Sequence, residues 1–506
     1  MLIALFVGAA AVSGFTVLRG GAPFDEGLVL QAARRVSGGQ VPYRDFLWPY
    51  GPAQPYLFGL SFDLFGTSLL WWRLLRVACD AAVAVTVYSL VRREASPKLA
   101  LAGWLVAACA MAQPTSATPF PPALLLGLLA LLVATRTPAP RRSALLAGLL
   151  VGAAAAWRLD FGLYAGAAVM LCLLLRPPAL GPKTKPALQF AAAAAGVTIL
   201  AYLPFLVAVG PSDLYDALVG SSLRERDFWT LPFPVSYGGS LRGWPPGALA
   251  ADLKDVLGFY VPALALAGLA VAALAGVLRA RREPSAAWRA AGVLVLGAGG
   301  LFYLLSRTDE FHTTPLIVLL AVALPLALTP DVARPLRVAA AACLVLLAGH
   351  GAANRLSVLV QPPPLETVDV PVADGAKAPP AEARALGRMV ATVQREVPSG
   401  EPIYAITSRS DLIRFNQPLI YVLTQRDNPT DRDFGLQTSE AEQRRIVTAL
   451  SDQRPGAIVR WTDPISTRRE PNLRGRPSGS RLLDQWVAAE YRQLQRAGDY
   501  EVLVPR

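Results

Sequence analysis

Residues 2–18 read LIALFVGAAAVSGFTVL, and a few positions further on come Phe24-Asp25-Glu26-Gly27, Val41-Pro42-Tyr43-Arg44-Asp45-Phe46 and Trp48-Pro49-Tyr50-Gly51-Pro52. An apolar run of that length is close to what a bilayer core about 30 Å thick requires of a helix. Two adjacent acids directly beyond it are costly unless they face water, a cation or a reacting group. This pairing of a membrane segment with an acidic, Tyr/Trp/Pro-rich loop (about residues 19–68) organises the rest of the chain.

The same apolar signature recurs along the chain. The chain has 506 residues, 53% apolar and only 17% charged, with mean hydropathy +0.40; soluble proteins carry nearer a quarter charged residues. Spans are predicted at about 2–18, 69–91, 98–112, 120–135, 143–157, 160–175, 187–209, 256–278, 287–306, 314–328 and 336–352. The expected fold class is therefore a polytopic α-helical membrane protein of about 11 spans, with residues 1–352 as its membrane domain. Residues 2–18 lack a basic start and a small-residue cleavage site, which reads as a retained first span.

The net charge of +12 is unevenly spread. From residue 360 onward there are 20 basic and 19 acidic groups, leaving 28 basic and 17 acidic before it. The excess belongs to short loops: Arg92, Arg93 and Lys98; Arg136, Arg141 and Arg142; Arg176, Lys183 and Lys185; Arg279, Arg281, Arg282 and Arg289; Arg334 and Arg337. The alternating short loops hold only Arg158 and Arg307. By the positive-inside rule the basic set is cytoplasmic. The N-terminus is then inside and everything after about 352 outside. No clustered basic face suggests nucleic acid as a partner. Most acids, Asp25, Glu26, Asp45, Asp160 and Asp309 among them, fall on the outer side, which marks that face as the active one.

Residues 353–380 are Pro-rich and read as a linker. Residues 381–506 alternate helix and strand: a helix at 380–397, strands near 403–407 and 419–423, a Ser439/Glu442 capping box opening a helix, a strand at 457–461, a helix at 480–496 and a strand at 501–504. That pattern predicts a small α/β extracytoplasmic domain. The four cysteines, Cys79, Cys109, Cys172 and Cys343, lie in apolar segments without metal spacing and read as buried apolar residues. No Gly-rich nucleotide loop or Walker motif is present.

Three clusters could carry chemistry. Asp25 or Glu26 can accept a proton from an incoming hydroxyl or hold a divalent cation, Mg or Mn, through carboxylate oxygens. The same acids would also suit a solvated helix N-terminus. Ser306-Arg307-Thr308-Asp309-Glu310-Phe311-His312 puts an arginine and one of the two histidines at an outer turn, where a guanidinium suits a lipid phosphate. Arg158-Leu159-Asp160-Phe161-Gly162 forms the third. Arg73 and Arg76 open the second span; Arg76 and Asp80 are spaced to neutralise each other, while Arg73 is within reach of a headgroup phosphate.

Phe24-Asp25-Glu26, Ala33-Arg34, Pro42-Tyr43-Arg44-Asp45, Tyr50-Gly51-Pro52, Phe65-Gly66-Thr67-Ser68, Arg73 and the two later Arg/Asp turns, in this order and topology, resemble the C-type (GT-C) glycosyltransferases. The nearest look is the group of protein O-mannosyltransferases and the aminoarabinose–lipid A transferase. The resemblance covers about residues 1–350. It implies transfer of a sugar from a polyprenyl-phosphate donor to a cell-envelope acceptor (glycolipid, polysaccharide or protein), with inversion, on the outer face of a bacterial inner membrane. It implies Asp25 as the base, with Glu26 beside it, Arg158, Arg307, His312 and Arg73 toward the donor phosphate, and Tyr43, Asp45, Asp160 and Asp309 lining the cavity. The chain lacks a second strongly acidic metal motif, which leaves a metal requirement open. The alternative is a lipid-linked sugar transporter or flippase, for which charges at the membrane midplane would be expected.

Overall fold

The computed structural model describes the whole chain except residues 22–23, 113–118, 137–139, 178, 180–182, 232, 234–255, 280–286, 331, 361, 413–416, 434–436, 468–472 and 474. The sequence also predicts a long outer loop at 210–255, with a short interfacial helix at about 249–257; most of that helix lies outside the described residues. Among those described, five helices are long and apolar enough to cross a membrane, and six shorter apolar helices accompany them.

In chain order the helices are α1 (Leu2–Gly14), α2 (Asp25–Ser37), α3 (Ala53–Phe65), α4 (Leu70–Arg92), α5 (Pro97–Met111), α6 (Pro121–Ala134), α7 (Pro140–Trp157), α8 (Leu159–Leu175), α9 (Thr184–Tyr215), α10 (Val261–Arg279), α11 (Ala287–Ser306), α12 (Glu310–Leu326) and α13 (Arg334–Val360). Helix α12 is buried along almost its whole length, as an all-round apolar helix should be. Helices α4, α5, α10, α11 and α13 pack against it, while α7 rests on α6 and α9. Helix α9 bends where Gly210 takes a positive φ just before Pro211, because proline breaks the hydrogen-bond ladder. Inside the bundle Arg76 and Asp80 form the expected i, i+4 pair at 3.7 Å, and Ser13 donates to Asp80 at 2.7 Å.

Helix α2 differs in kind. It is amphipathic, opens with Asp25 and Glu26, and closes with Arg34 and Arg35, which suits the helix dipole at both ends.

The region from Glu366 onward is α/β. Its four-stranded sheet has the order β3 (Ile403–Thr407), β4 (Ala457–Trp461), β6 (Tyr500–Pro505), β5 (Tyr491–Ala497). The β3/β4 pair is parallel and the other two pairs are antiparallel. Alternation along β3 sends Ile403 and Ala405 to one core and Tyr404 and Ile406 to the other, so both faces of the sheet are covered. Helix α14 (Pro380–Glu396) packs against β5 and β6, and the Ser439 cap forms as expected, its Oγ accepting from Glu442 N.

Three expectations change. Residues 419–423 are helical (α15, Leu419–Thr424); a short apolar run does not distinguish strand from helix. The segment 480–496 divides into a helix, Leu482–Glu490, and strand β5. The stretch 353–380 is not a plain linker. Helix α13 continues to Val360, and β1 (Glu366–Thr367) pairs with β2 (Lys377–Ala378). That ribbon ties back to the first loop, Gly20 N donating to Lys377 O and Lys377 N to Leu18 O, both at 2.6 Å.

Candidate functional site

The α/β region sits on α2. Gly27 lies so close to α15 that a Cβ there would stand 2.4 Å from the Leu419 backbone nitrogen. Arg35 donates to both Asp433 carboxylate oxygens (2.6 and 2.9 Å) and to Thr430 O (2.7 Å), with both ionic side chains almost fully buried. Arg34 pairs with Asp427 at 2.8 Å, and Phe24 meets Trp461 edge-on. The helix that carries Asp25 is thus held from above by residues some four hundred positions away in the chain.

Asp25 and Glu26, adjacent in sequence, part company in space. Glu26 is fully buried and accepts from Arg73 through both oxygens (2.5 and 3.0 Å); the same guanidinium donates to Val17 O and Gly20 O. Arg73 and Glu26 thereby lock α2 to α4, and the Arg73 guanidinium is engaged by Glu26 and by two backbone carbonyls. Asp25, about 100° further round the helix, points the other way. Its carboxyl is raised on balance from an ordinary 3.8 to about 6: burial raises it most, His312 lowers it, Asp309 raises it, and Arg307 and Arg158 lower it. Those four groups come from two other loops, so the turns at 158–160 and 307–312 converge on Asp25.

Each turn is built locally. Asp309 caps α12, its Oδ1 accepting from Phe311 N (3.1 Å) and His312 N (3.0 Å), as aspartate does at helix starts. The same oxygen lies 2.7 Å from His312 Nδ1, and Oδ2 accepts from Arg307 Nε at 3.0 Å. Burial would raise the Asp309 carboxyl, but the His312 hydrogen bond, with the His312 and Arg307 charges, holds it below its usual range. Arg307 also donates to Trp229 O at 3.1 Å. Arg158, between α7 and α8, pairs with both oxygens of Asp160 (3.0 and 2.7 Å), and its guanidinium stands 4.9–5.3 Å from the rings of Tyr50, Tyr303 and Phe161, where it gains cation–π attraction.

Tyr50 reaches Arg158 because of Gly51. A Cβ on Gly51 would lie 2.0 Å from Ala156 O, so only glycine lets this loop touch the end of α7. Gln54 fixes the approach by donating to Trp157 O at 2.7 Å. Tyr43, at a positive φ of 69°, donates from its hydroxyl to Tyr50 O at 2.6 Å and braces the loop. Asp45 is used within its own turn, pairing with Arg44 and accepting from Val41 N.

Sequence reading missed Tyr303 and the part played by Tyr50. Tyr303 meets Arg158 and His312 at once: its ring lies 5.0 Å from the Arg158 guanidinium and stacks on His312 with ring centroids 4.4 Å apart. It lies one turn ahead of Arg307 in an apolar helix, where an aromatic residue looks like ordinary core. Asp25 and Glu26 do not form a shared oxygen cradle, since Glu26 is held by Arg73. Among the described residues no group of three or more His, Cys, Asp or Glu could hold a metal ion.

The apolar helical bundle is that of a multi-pass membrane protein, and a charged cluster lies at one end of it, next to the helix that carries the α/β region. The chain is similar to several solved structures. ArnT from Cupriavidus metallidurans bound to undecaprenyl phosphate matches at TM-score 0.55 and 13% identity, over 99% of this chain and 97% of that one. The same protein in the apo state matches at 0.53 and 14%, with the same coverage. The Archaeoglobus fulgidus oligosaccharyltransferase tethered to an acceptor peptide matches at 0.50 and 13%, over 90% and 68%. No family model matches the chain, and no curated protein sequence matches it. At these identities the likeness is one of fold, and the chain has the GT-C fold.

Proposed function

We propose that this chain is a glycosyltransferase that moves a sugar from a polyprenyl-phosphate donor to a cell-envelope acceptor, with inversion. The observation that carries the reading is the convergence of one carboxylate with a raised pKa, Asp25, the guanidinium groups of Arg158 and Arg307 and the imidazole of His312, drawn from three loops, with Tyr303 bridging Arg158 and His312.

The chemistry follows from the charges. The acceptor hydroxyl gives its proton to Asp25 while its oxygen attacks the anomeric carbon. The bond from that carbon to the phosphate oxygen breaks, and the electron pair leaves with polyprenyl phosphate. Arg158 and Arg307, oriented by Asp160 and Asp309, meet the charge that develops on the phosphate. A base with a pKa near 6 is mostly ionised at neutral pH and still basic enough to take the proton. That ArnT binds undecaprenyl phosphate on the same fold supports the donor class.

All eleven apolar helices are read as spans, with the N-terminus cytoplasmic and the α/β domain outside, in a bacterial inner membrane. Supporting this, Arg93 reaches Thr135 and Arg289 reaches Glu94, so the basic loops gather together, while Asp25 lies with the acidic ones. The α/β domain, in contact with α2, is read as shaping acceptor choice.

The test is mass spectrometry of envelope glycans and glycolipids from a deletion strain complemented with wild type or Asp25→Asn. Wild type restores the missing linkage and the variant, inserted at equal level, does not. Full restoration by Asp25→Asn would remove the base assignment, and an unchanged glycan profile in the deletion strain would remove the reading.

A further inference from the structure

At another place in the bundle, remote in sequence from Asp25, a cavity of about 560 Å³ opens between the α4–α5 turn and the segment after α12. Its polar lining is Arg92, Arg93, Ser96 and Thr329, and Leu99 and Leu328 supply apolar wall. Glu94 also lines it, but its carboxylate is engaged by Arg289. The charges of Arg136 and Arg289 reach Arg93 as well, so the mouth is positive on balance. Arg93 is anchored, donating to Leu132 O (2.5 Å) and Thr135 Oγ1 (3.0 Å), whereas Arg92 is exposed and, among the described residues, makes one long contact, to Ala95 O at 3.3 Å.

We propose that this cavity is a binding site for the headgroup of an anionic bilayer phospholipid. A soluble phosphate needs the arginines alone. A lipid also needs apolar surface beginning at the same mouth, and Leu99 and Leu328 supply it in the wall itself, at the end of helices whose other sides carry exposed leucines such as Leu101 and Leu105. Basic pockets between transmembrane helices are suited to anionic headgroups, with each nearby cation adding to the attraction. The inference rests on the membrane embedding of the bundle and is independent of any sugar transfer.

The experiment uses the full chain in nanodiscs, comparing phosphatidylglycerol with phosphatidylcholine by native mass spectrometry after release. Wild type retains phosphatidylglycerol in preference, and Arg92→Glu lowers that retention about tenfold or more. Arg93 is left intact because it holds the end of α6. Arg492→Glu, the same reversal on exposed strand β5, leaves retention unchanged. Equal retention of the two lipids by wild type overturns the proposal, as does an equal loss in Arg492→Glu. Competition by soluble glycerol 3-phosphate as effective as that by phosphatidylglycerol overturns the lipid as the source of the phosphate.

Discussion

Replacing Asp25 with asparagine should make the protein more stable as it removes the proposed base. The folded carboxyl titrates near 6 against an ordinary value of 3.8, chiefly because of burial. Below pH about 4 folded and unfolded chains both hold the proton, and the group is neutral in the balance. Between about 4 and 6 the unfolded chain releases it first, so folding loses stability as pH rises. Above about 6 the loss is complete. Roughly two units at about 1.36 kcal/mol each give some 3 kcal/mol; Asp25 is only partly shielded from solvent, which lowers the figure to about 1–2 kcal/mol. Asparagine carries no such penalty. For a chain this long each kcal/mol is worth about 1–2 °C, so Asp25→Asn should melt about 2–3 °C higher at pH 7.5, with the gap closing as pH falls toward 4. Thermal unfolding in detergent across that range measures it. A variant no more stable than wild type at pH 7.5, or a gap that does not narrow on acidification, would refute the reasoning that burial holds Asp25 in a strained charge state.

The neighbouring acid should behave in the opposite sense. Glu26→Gln leaves the Arg73 guanidinium buried beside a neutral amide, which by the behaviour of broken buried pairs costs about 3–5 kcal/mol; a large drop in melting temperature is expected. A stable but inactive Glu26→Gln would return Glu26 to the chemistry. Gly27→Ala gains at most about 1 kcal/mol of helix propensity but drives a methyl into the Leu419 backbone, an overpacking that costs about 1–3 kcal/mol. It should lower both stability and transfer, and adding Leu419→Ala should not rescue it, because the nearest atoms met are the Leu419 backbone nitrogen and Cα.

The amino-acid sequence by itself determined the membrane character, the apolar helices to within a few residues at most ends, and the basic and acidic loop sets. These are properties of local composition: a run of leucine and alanine is apolar whatever surrounds it. Asp25, Arg158, Arg307 and His312 were also legible as candidates, since a charge at a membrane boundary is costly wherever the chain goes next. Only the tertiary structure decided which acid of the Asp25–Glu26 pair is held by Arg73 and which meets the loop cations, because adjacent helical residues point about 100° apart and nothing local says which direction is the interior. It likewise decided that Tyr303 stacks on His312, that residues 419–423 coil into the helix resting on Gly27, and that Arg35 is matched by Asp433. Those outcomes depend on partners distant in the chain, and contacts of that kind leave no periodic trace in the sequence.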